Sequence, residues 1–230
     1  MTETRLILPG ITTTSGSDWK SKIKEVKELQ LKEVALFLTC LEKKEREEIY
    51  SLIEKAGIKS VPFVHLRDDM ELDEIDALVE RFNVQAFNIH SPRVAKALEY
   101  HRSKHKDKIY VENRLVPMLE EDIKRFAGIC LDFAHLENKK LLNRKGYELD
   151  VEMLEKYPIG ANHISAIKKD LQQNKAGRFH HDHHHLDNMS ELDYLKNYPK
   201  EYFAPFISVE LDNTIKEQLK VIDYIKKIIK

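Results

Sequence analysis

Short apolar runs alternate with longer amphipathic ones along the chain. The apolar runs RLILPG (5–10), EVALFLT (33–39), SVPFVHL (60–66), VQAFNIH (84–90), KIYVEN (108–113), GICLDF (128–133), ANHISAI (161–167) and FISVEL (206–211) read as strands. Most are continuous rather than strictly alternating, the pattern of parallel strands covered on both faces. Amphipathic runs fill the gaps. Ser17 is placed to cap a helix whose Trp19, Ile23, Val26 and Leu29 share a face. The run 42–56 carries Ile49, Leu52, Ile53 and Ala56, with Gly57 placed to end it, and 70–82 carries Leu72, Ile75, Leu78, Val79 and Phe82. Ser91-Pro92 reads as N-cap and first helical residue ahead of Val94 and Leu98. Further helices fit 117–127, 150–157, 191–197 and 214–229. Eight strand–helix units in 230 residues predict an α/β chain folded as one (β/α)8 TIM barrel domain spanning 1–230. No GxGxxG or P-loop spacing follows a strand. The longest irregular stretch, 168–190, is of a length more often functional than accidental in a compact barrel.

Composition narrows the picture. Lys plus Arg number 38 against 39 Asp plus Glu, a formal charge of −1, which argues against a chain that grips nucleic acid through a strong positive field. Hydrophobic residues at 42% and charged ones at 33% describe a soluble globule able to bury a sizeable core. No apolar stretch is long enough for a membrane span, and the N-terminus lacks a segment of signal-peptide length. Cys40 and Cys130 lie in apolar runs, which predicts buried thiols in a reducing, cytoplasmic setting. Of eleven histidines, His180, His181, His183, His184 and His185 crowd around Asp182, inside the irregular stretch.

Candidate chemistry lies at the strand ends. His65 ends the third strand, His90 the fourth, Glu112 the fifth and Asp132 the sixth, with His135 three residues on. His163 lies in the seventh strand and Glu210 ends the eighth. Strands otherwise built of Val, Ile, Phe and Leu rarely close on ionisable groups, and several buried carboxylates are costly unless a cation neutralises them. In a barrel these positions converge on one mouth, where active sites of the fold sit. Mixed imidazole and carboxylate donors suit zinc, manganese, cobalt or iron better than calcium. Singly, each has an ordinary structural explanation: a strand-end histidine, a Glu112 or Glu210 paired with Arg67 or Arg114, a surface histidine loop. Six strands ending alike weaken that explanation.

This pattern resembles the xylose isomerase-like barrels, which include apurinic/apyrimidinic endonucleases of the endonuclease IV type. The resemblance rests on Glu112 in YVEN, Asp132 and His135 in CLDFAH, His163 in NHIS and Glu210 in SVEL. It implies that Glu112, Asp132, His163 and Glu210 hold a divalent metal. The endonuclease-like branch adds a histidine after strand three, another after strand four and an Asp-x-His after strand seven. His65, His90 and the pair Asp182 and His184 occupy those places, which implies three zinc ions. Two departures stand out: Leu186-Asp187-Asn188-Met189 replaces a glycine-rich stretch, and His90-Ser91-Pro92 replaces His-Pro-Gly.

Two chemistries follow. A sugar or sugar-phosphate isomerase or epimerase would use one ion to stabilise an enediolate, with Glu112 and Glu210 as acid and base and His135 orienting a substrate oxygen. There, Arg67, Arg114, Lys168 or Arg178 would hold a phosphate. A phosphoester hydrolase would use two or three zinc ions, with Asp182 and His184 ligating near His65 and His90. The cofactor expected is zinc, manganese, cobalt or magnesium; the partner is a small sugar or sugar phosphate rather than duplex DNA, and an oligomer is open. A metal-binding barrel without enzymatic activity is the third reading. The isomerase is preferred slightly, on compactness and charge.

Overall fold

In the computed structural model, which describes residues 5–14, 16–91, 97, 99–174 and 177–229, eight parallel strands close into a barrel. These are β1 (Leu6–Ile11), β2 (Glu33–Phe37), β3 (Ser60–His65), β4 (Ala86–His90), β5 (Ile109–Glu112), β6 (Gly128–Asp132), β7 (Ile159–Ile164) and β10 (Phe206–Val209). Each pairs with its sequence neighbour in the barrel, and β10 closes the ring between β7 and β1. The two remaining strands, β8 (Ala166–Gln173) and β9 (Phe179–His183), form a separate antiparallel hairpin.

Seven α-helices are described: α1 (Trp19–Glu28), α2 (Lys43–Lys55), α3 (Leu72–Phe82), α4 (Glu120–Ile123), α5 (Phe133–Leu142), α6 (Arg144–Lys156) and α7 (Ile215–Ile228). Their apolar faces and the outward side chains of the strands make two buried layers, one around Leu36, Ile49, Val64 and Ile75, the other around Leu131, Leu136, Val209 and Val221. A third cluster, Leu8, Ala35, Phe37, Phe63, Ala86, Cys130 and Ala161, fills the barrel itself. That plug makes the barrel a packed core rather than a pore, and the active sites of this fold sit above it, at the C-terminal mouth.

Several local expectations change. Asp18, not Ser17, caps α1, its Oδ1 accepting from Ser21 N at 3.0 Å. The predicted helix 117–127 shrinks to α4, and 191–197 forms a 3₁₀ helix over Met189–Asn197. The helix placed at 150–157 starts earlier, at Arg144, and α5 precedes it; Asn143 separates them and caps α6 through Gly146 N at 3.0 Å. Much of the stretch predicted as irregular, 168–190, is the β8–β9 hairpin. Cys40 is exposed while Cys130 is buried, so only one thiol matches expectation. Pro92, Val94 and Leu98 lie outside the described residues. Among those described, no helix is long and apolar enough to cross a membrane.

The contact between β1 and β10 leaves no room for a side chain at Gly10. A methyl group there would sit 2.2 Å from Val209 O and 2.9 Å from Phe37 Cε2, between a paired strand and a barrel-filling ring. Gly10→Ala is expected to cost about 1–3 kcal/mol, the scale of overpacking a well-packed core. Denaturant unfolding measures it, and an unchanged midpoint would count against this barrel register.

Candidate metal centre

The strand period of two builds the site. Side chains two apart on a strand share a face, so the interior residues rise in layers. Phe63 leads to His65, Ala86 to Asn88 and then His90, Cys130 to Asp132, and Ala161 to His163. Tyr110 leads to Glu112 on β5 in the same way. Apolar residues fill the lower layers and ionisable ones the upper layer. Register levels them across strands: His90 pairs with Glu112, and Asp132 with His163. Glu210 follows β10 directly, its backbone N donating to Ile164 O at 2.9 Å.

Glu112 lies at the centre. Its Oε2 stands 3.0 Å from His65 Nε2 and 3.6 Å from His163 Nδ1. Its Oε1 stands 3.9 Å from His90 Nε2 and 3.8 Å from His135 Nε2. His65 and His90 face each other, Nε2 to Nε2, at 3.1 Å. On the other side His163 Nδ1 is 3.2 Å from Glu210 Oε2, and His135 Nε2 is 3.9 Å from Asp132 Oδ2. Four sets have donor atoms within 4.8 Å of one another: His65, His90 and Glu112; Glu112, Cys130 and His163; Glu112, Asp132 and His135; and Asp132, His163 and Glu210.

Second contacts hold these groups in place. Leu66 O lies 2.8 Å from His65 Nδ1 and can only accept, so it fixes the ring with its Nε2 facing the centre. Asn88 Nδ2 donates to Glu112 Oε2 at 2.5 Å. Asn113 clamps the Asp132 backbone from both sides, accepting from its N at 2.7 Å and donating to its O at 2.9 Å. Asp132 caps α5 as well, accepting from His135 N at 2.8 Å, so α5 starts at the site and presents His135 to it. Asn88 and Asn113 carry no site signal in the sequence and Cys130 is expected there only as a buried thiol, although counting back two residues from His90 and Asp132 reaches Asn88 and Cys130.

The hairpin completes the mouth. Asn138 Oδ1 on α5 accepts from His181 N at 2.8 Å and Asp182 N at 3.4 Å, which sets β9 against that helix. Asp182 Oδ2 then lies 3.0 Å from His135 Nδ1, and His184 Nδ1 lies 3.7 Å from Glu210 Oε1. The expected neighbours of Asp182 and His184, His65 and His90, are therefore replaced by His135 and Glu210. Of the other histidines in the run, His180 turns back on Asp182 at 3.1 Å and His185 faces Asp187 at 3.5 Å.

Charge in this cluster is balanced only internally. Among the described residues no Lys or Arg pairs with Glu112, Asp132 or Glu210. Burial alone would raise the Glu112 carboxyl, but His163, His65 and His90 outweigh it and hold it well below the usual range. Burial likewise opposes ionisation of Glu210, yet His184 and His163 bring it down to about 2. Asp132 goes the other way, to about 6, through burial and the nearby Glu210 and Glu112, against the pull of His135. Burial lowers His90 to about 3. His135 rises to about 10 because Asp132 and Asp182 overcome its burial.

A divalent cation fits this donor set. Both ring nitrogens of the buried His163 lack a hydrogen bond, although Nδ1 stands between Glu210 and Glu112. Orphaned buried donors are rare, and a shared cation satisfies an imidazole held between two carboxylates. The basic residues considered for phosphate binding divide sharply. Arg67 is tied to Glu42 and Asp69, and Lys168 to Asp187 and Glu191. Arg178 sits on the exposed hairpin, while Arg114 Nη1 lies 3.2 Å from His90 Nδ1, at the mouth.

No family model and no curated protein matches the chain. Its structure is similar to that of a xylose isomerase domain protein from Planctomyces limnophilus, with a TM-score of 0.55 and 11% identity, covering 98% of this chain and 97% of that one. A xylose isomerase domain protein from Alicyclobacillus acidocaldarius gives a TM-score of 0.51 and 11% identity, covering 97% and 98%. A probable 2-pyrone-4,6-dicarboxylic acid hydrolase from Acinetobacter baumannii gives 0.55 and 9%, covering 99% and 92%. Fold does not dictate chemistry, which has to be read from the residues at the mouth. The chain has the fold of the xylose isomerase-like (β/α)8 barrels, and its mouth gathers buried histidines and carboxylates able to hold a metal.

Proposed function

We propose that the chain is a multinuclear, metal-dependent phosphoester hydrolase acting on a small phosphorylated substrate. One observation carries the reading: Glu112 lies within 4 Å of four imidazoles, its Oε2 facing His65 and His163 and its Oε1 facing His90 and His135, so that one carboxylate is in reach of more than one set of donors. His65 and His90 would hold one ion with Glu112. Asp132, His163 and Glu210 would hold a second with it, and His135 with Asp182, 3.0 Å apart, would begin a third that His184, now beside Glu210, would have to join. Ions held in such a set acidify water near neutral pH and clamp the attacking and leaving oxygens of an in-line displacement. The chain's own residues prepare the site: Asn88 fixes the Glu112 carboxylate, Asn113 fixes the end of β6, and Asp182 orients His135. The similar structures quoted above carry isomerase-domain and hydrolase names, which agrees with a catalytic role.

An isomerase with one ion would need only Glu112, Asp132, His163 and Glu210. It leaves the converging His65–His90 pair without a task, which reverses the preference drawn from compactness and charge. The near-zero net charge still favours a small phosphoester over duplex DNA.

The hairpin supplies the test. Replacing Asp182 and His184 together by Ala should lower the bound metal by one ion per chain, because the set around His135 loses both partners while the set around Glu210 loses only a neighbour and keeps Glu112, Asp132 and His163. Elemental analysis reads this against the unaltered chain. One ion before and after the change would overturn the multinuclear reading and favour the isomerase. A second variant, Asp132→Asn, keeps the shape of the side chain but removes its charge. It should weaken metal binding by at least about 10- to 100-fold, the scale of losing a supporting group. Undiminished metal in that variant would remove Asp132 from the ligand set.

A further inference from the structure

We infer that the chain forms a two-fold dimer through an apolar face built by the segment after β5 together with α5 and α6. The inference makes no use of the metal centre and stands apart from the hydrolase reading.

Nine large apolar side chains are exposed among the described residues, and six of them fall between 115 and 149. Leu115, Val116, Leu119, Leu142 and Leu149 are 37–43% exposed, and Leu141 is 58% exposed. The buried Lys139–Asp150 pair gathers them, because it joins α5 to α6 and holds the segment after β5 across both. Lys139 Nζ donates to Val116 O at 2.9 Å, and Asp150 Oδ1 accepts from Met118 N at 3.0 Å. Leu142 lies three residues past Lys139, on the same side of α5, and Leu149 directly precedes Asp150. Leu119 and Leu149 then line one groove of about 430 Å³ with Pro117, Met118 and Met153. Single exposed leucines are ordinary, but a contiguous apolar patch of several hundred Å² marks a contact surface.

Shape and charge select a second copy of the chain as the occupant. The face carries a concavity, the groove, and a projection, Leu141 near the end of α5. A surface with both is complementary to itself, since a two-fold axis sets each Leu141 against the other copy's groove. The flanking charges are neutralised within the chain: Glu120 pairs with Lys124 and Lys156, Arg144 with Glu148, and Lys140 with Glu137. A nucleic acid, an anionic lipid surface or a charged peptide needs an unbalanced field, which these pairs do not provide. They do provide the polar rim that surrounds the apolar centre of a protein interface. Each copy in a stable pair buries about 800 Å². The six apolar side chains cover a large part of such an area, and the groove walls and the rim supply the rest. Two copies with a formal charge of −1 each scarcely repel one another.

The test is sedimentation equilibrium on the full chain, as wild type, Leu119→Asp, Leu141→Asp and Leu29→Asp. The wild type should sediment at twice the chain mass. Leu119→Asp and Leu141→Asp should each weaken association by about 10- to 100-fold, the scale of losing a central apolar contact. Both should still fold, because the side chains are exposed and position 119 is the N-cap of α4, where aspartate is favoured. Leu29 is also exposed but follows α1, outside the face, so Leu29→Asp should associate like the wild type. A monomeric wild type overturns the inference, as does a dimer that neither Leu119→Asp nor Leu141→Asp weakens. Equal weakening by Leu29→Asp would place the contact elsewhere and overturn it too. A monomeric wild type that sediments with vesicles of phosphatidylcholine and phosphatidylserine would assign the face to a membrane instead, which also overturns the dimer.

Discussion

Glu112→Gln is expected to empty two metal positions at once. The glutamine keeps the shape of the side chain and loses its charge, and that one carboxylate faces both His65 and His163. Losing an outer supporting group costs about 10- to 100-fold in metal affinity, so losing a shared ligand should exceed about 100-fold at both positions. His90→Gln, by contrast, should empty only the position on its own side. Elemental analysis of the two variants separates the cases. An equal metal count in wild type and Glu112→Gln would mean that this carboxylate bridges nothing. Folding should survive the change, because Asn88 and its neighbours still fill the layer and the barrel plug below contains no ionised side chain.

The second large effect concerns the frame around the site. Lys139 on α5 and Asp150 on α6 form an ion pair with both side chains buried, and the same groups reach the segment after β5. Lys139 Nζ donates to Val116 O at 2.9 Å and Asp150 Oδ1 accepts from Met118 N at 3.0 Å. Burial opposes both charges, lowering the lysine and raising the aspartate, and each partner offsets the other. Lys139→Met leaves an uncompensated buried carboxylate and should cost about 3–5 kcal/mol in denaturant unfolding. Replacing both residues, Lys139→Met with Asp150→Leu, should recover much of that loss, because an apolar pair of similar volume pays no such desolvation. A single substitution costing under about 1 kcal/mol would show that the pair is not buried as described.

The barrel was legible because continuous apolar runs and their punctuation survive in the sequence whatever the tertiary context. The ionisable residues at the strand ends were legible for a related reason: His65, Glu112, Asp132 and Glu210 interrupt apolar strands where charge is costly. What stayed hidden depends on contacts between segments distant in sequence. The strands β8 and β9 are polar and mostly exposed or half-buried, so no alternation marks them, and their antiparallel pairing is visible only in three dimensions. The partner of Asp182 turned on Asn138, which holds β9 against α5 and so sets the aspartate over His135, one turn earlier on the same helix. Arg144, Lys145 and Gly146 carry no apolar signal, so the pattern alone begins this helix at 150, whereas the Asn143 cap starts α6 at Arg144. Glu112 was singled out as a ligand, but its position between two sets required the register that levels it with His90 and Cys130.

The central claim is that this mouth holds more than one ion around Glu112. The direct measurement is the metal content of the full chain after equilibration with zinc and removal of the free ion. The account predicts two or three ions per chain, with two lost together in Glu112→Gln. A chain that retains one ion, or none, would contradict it.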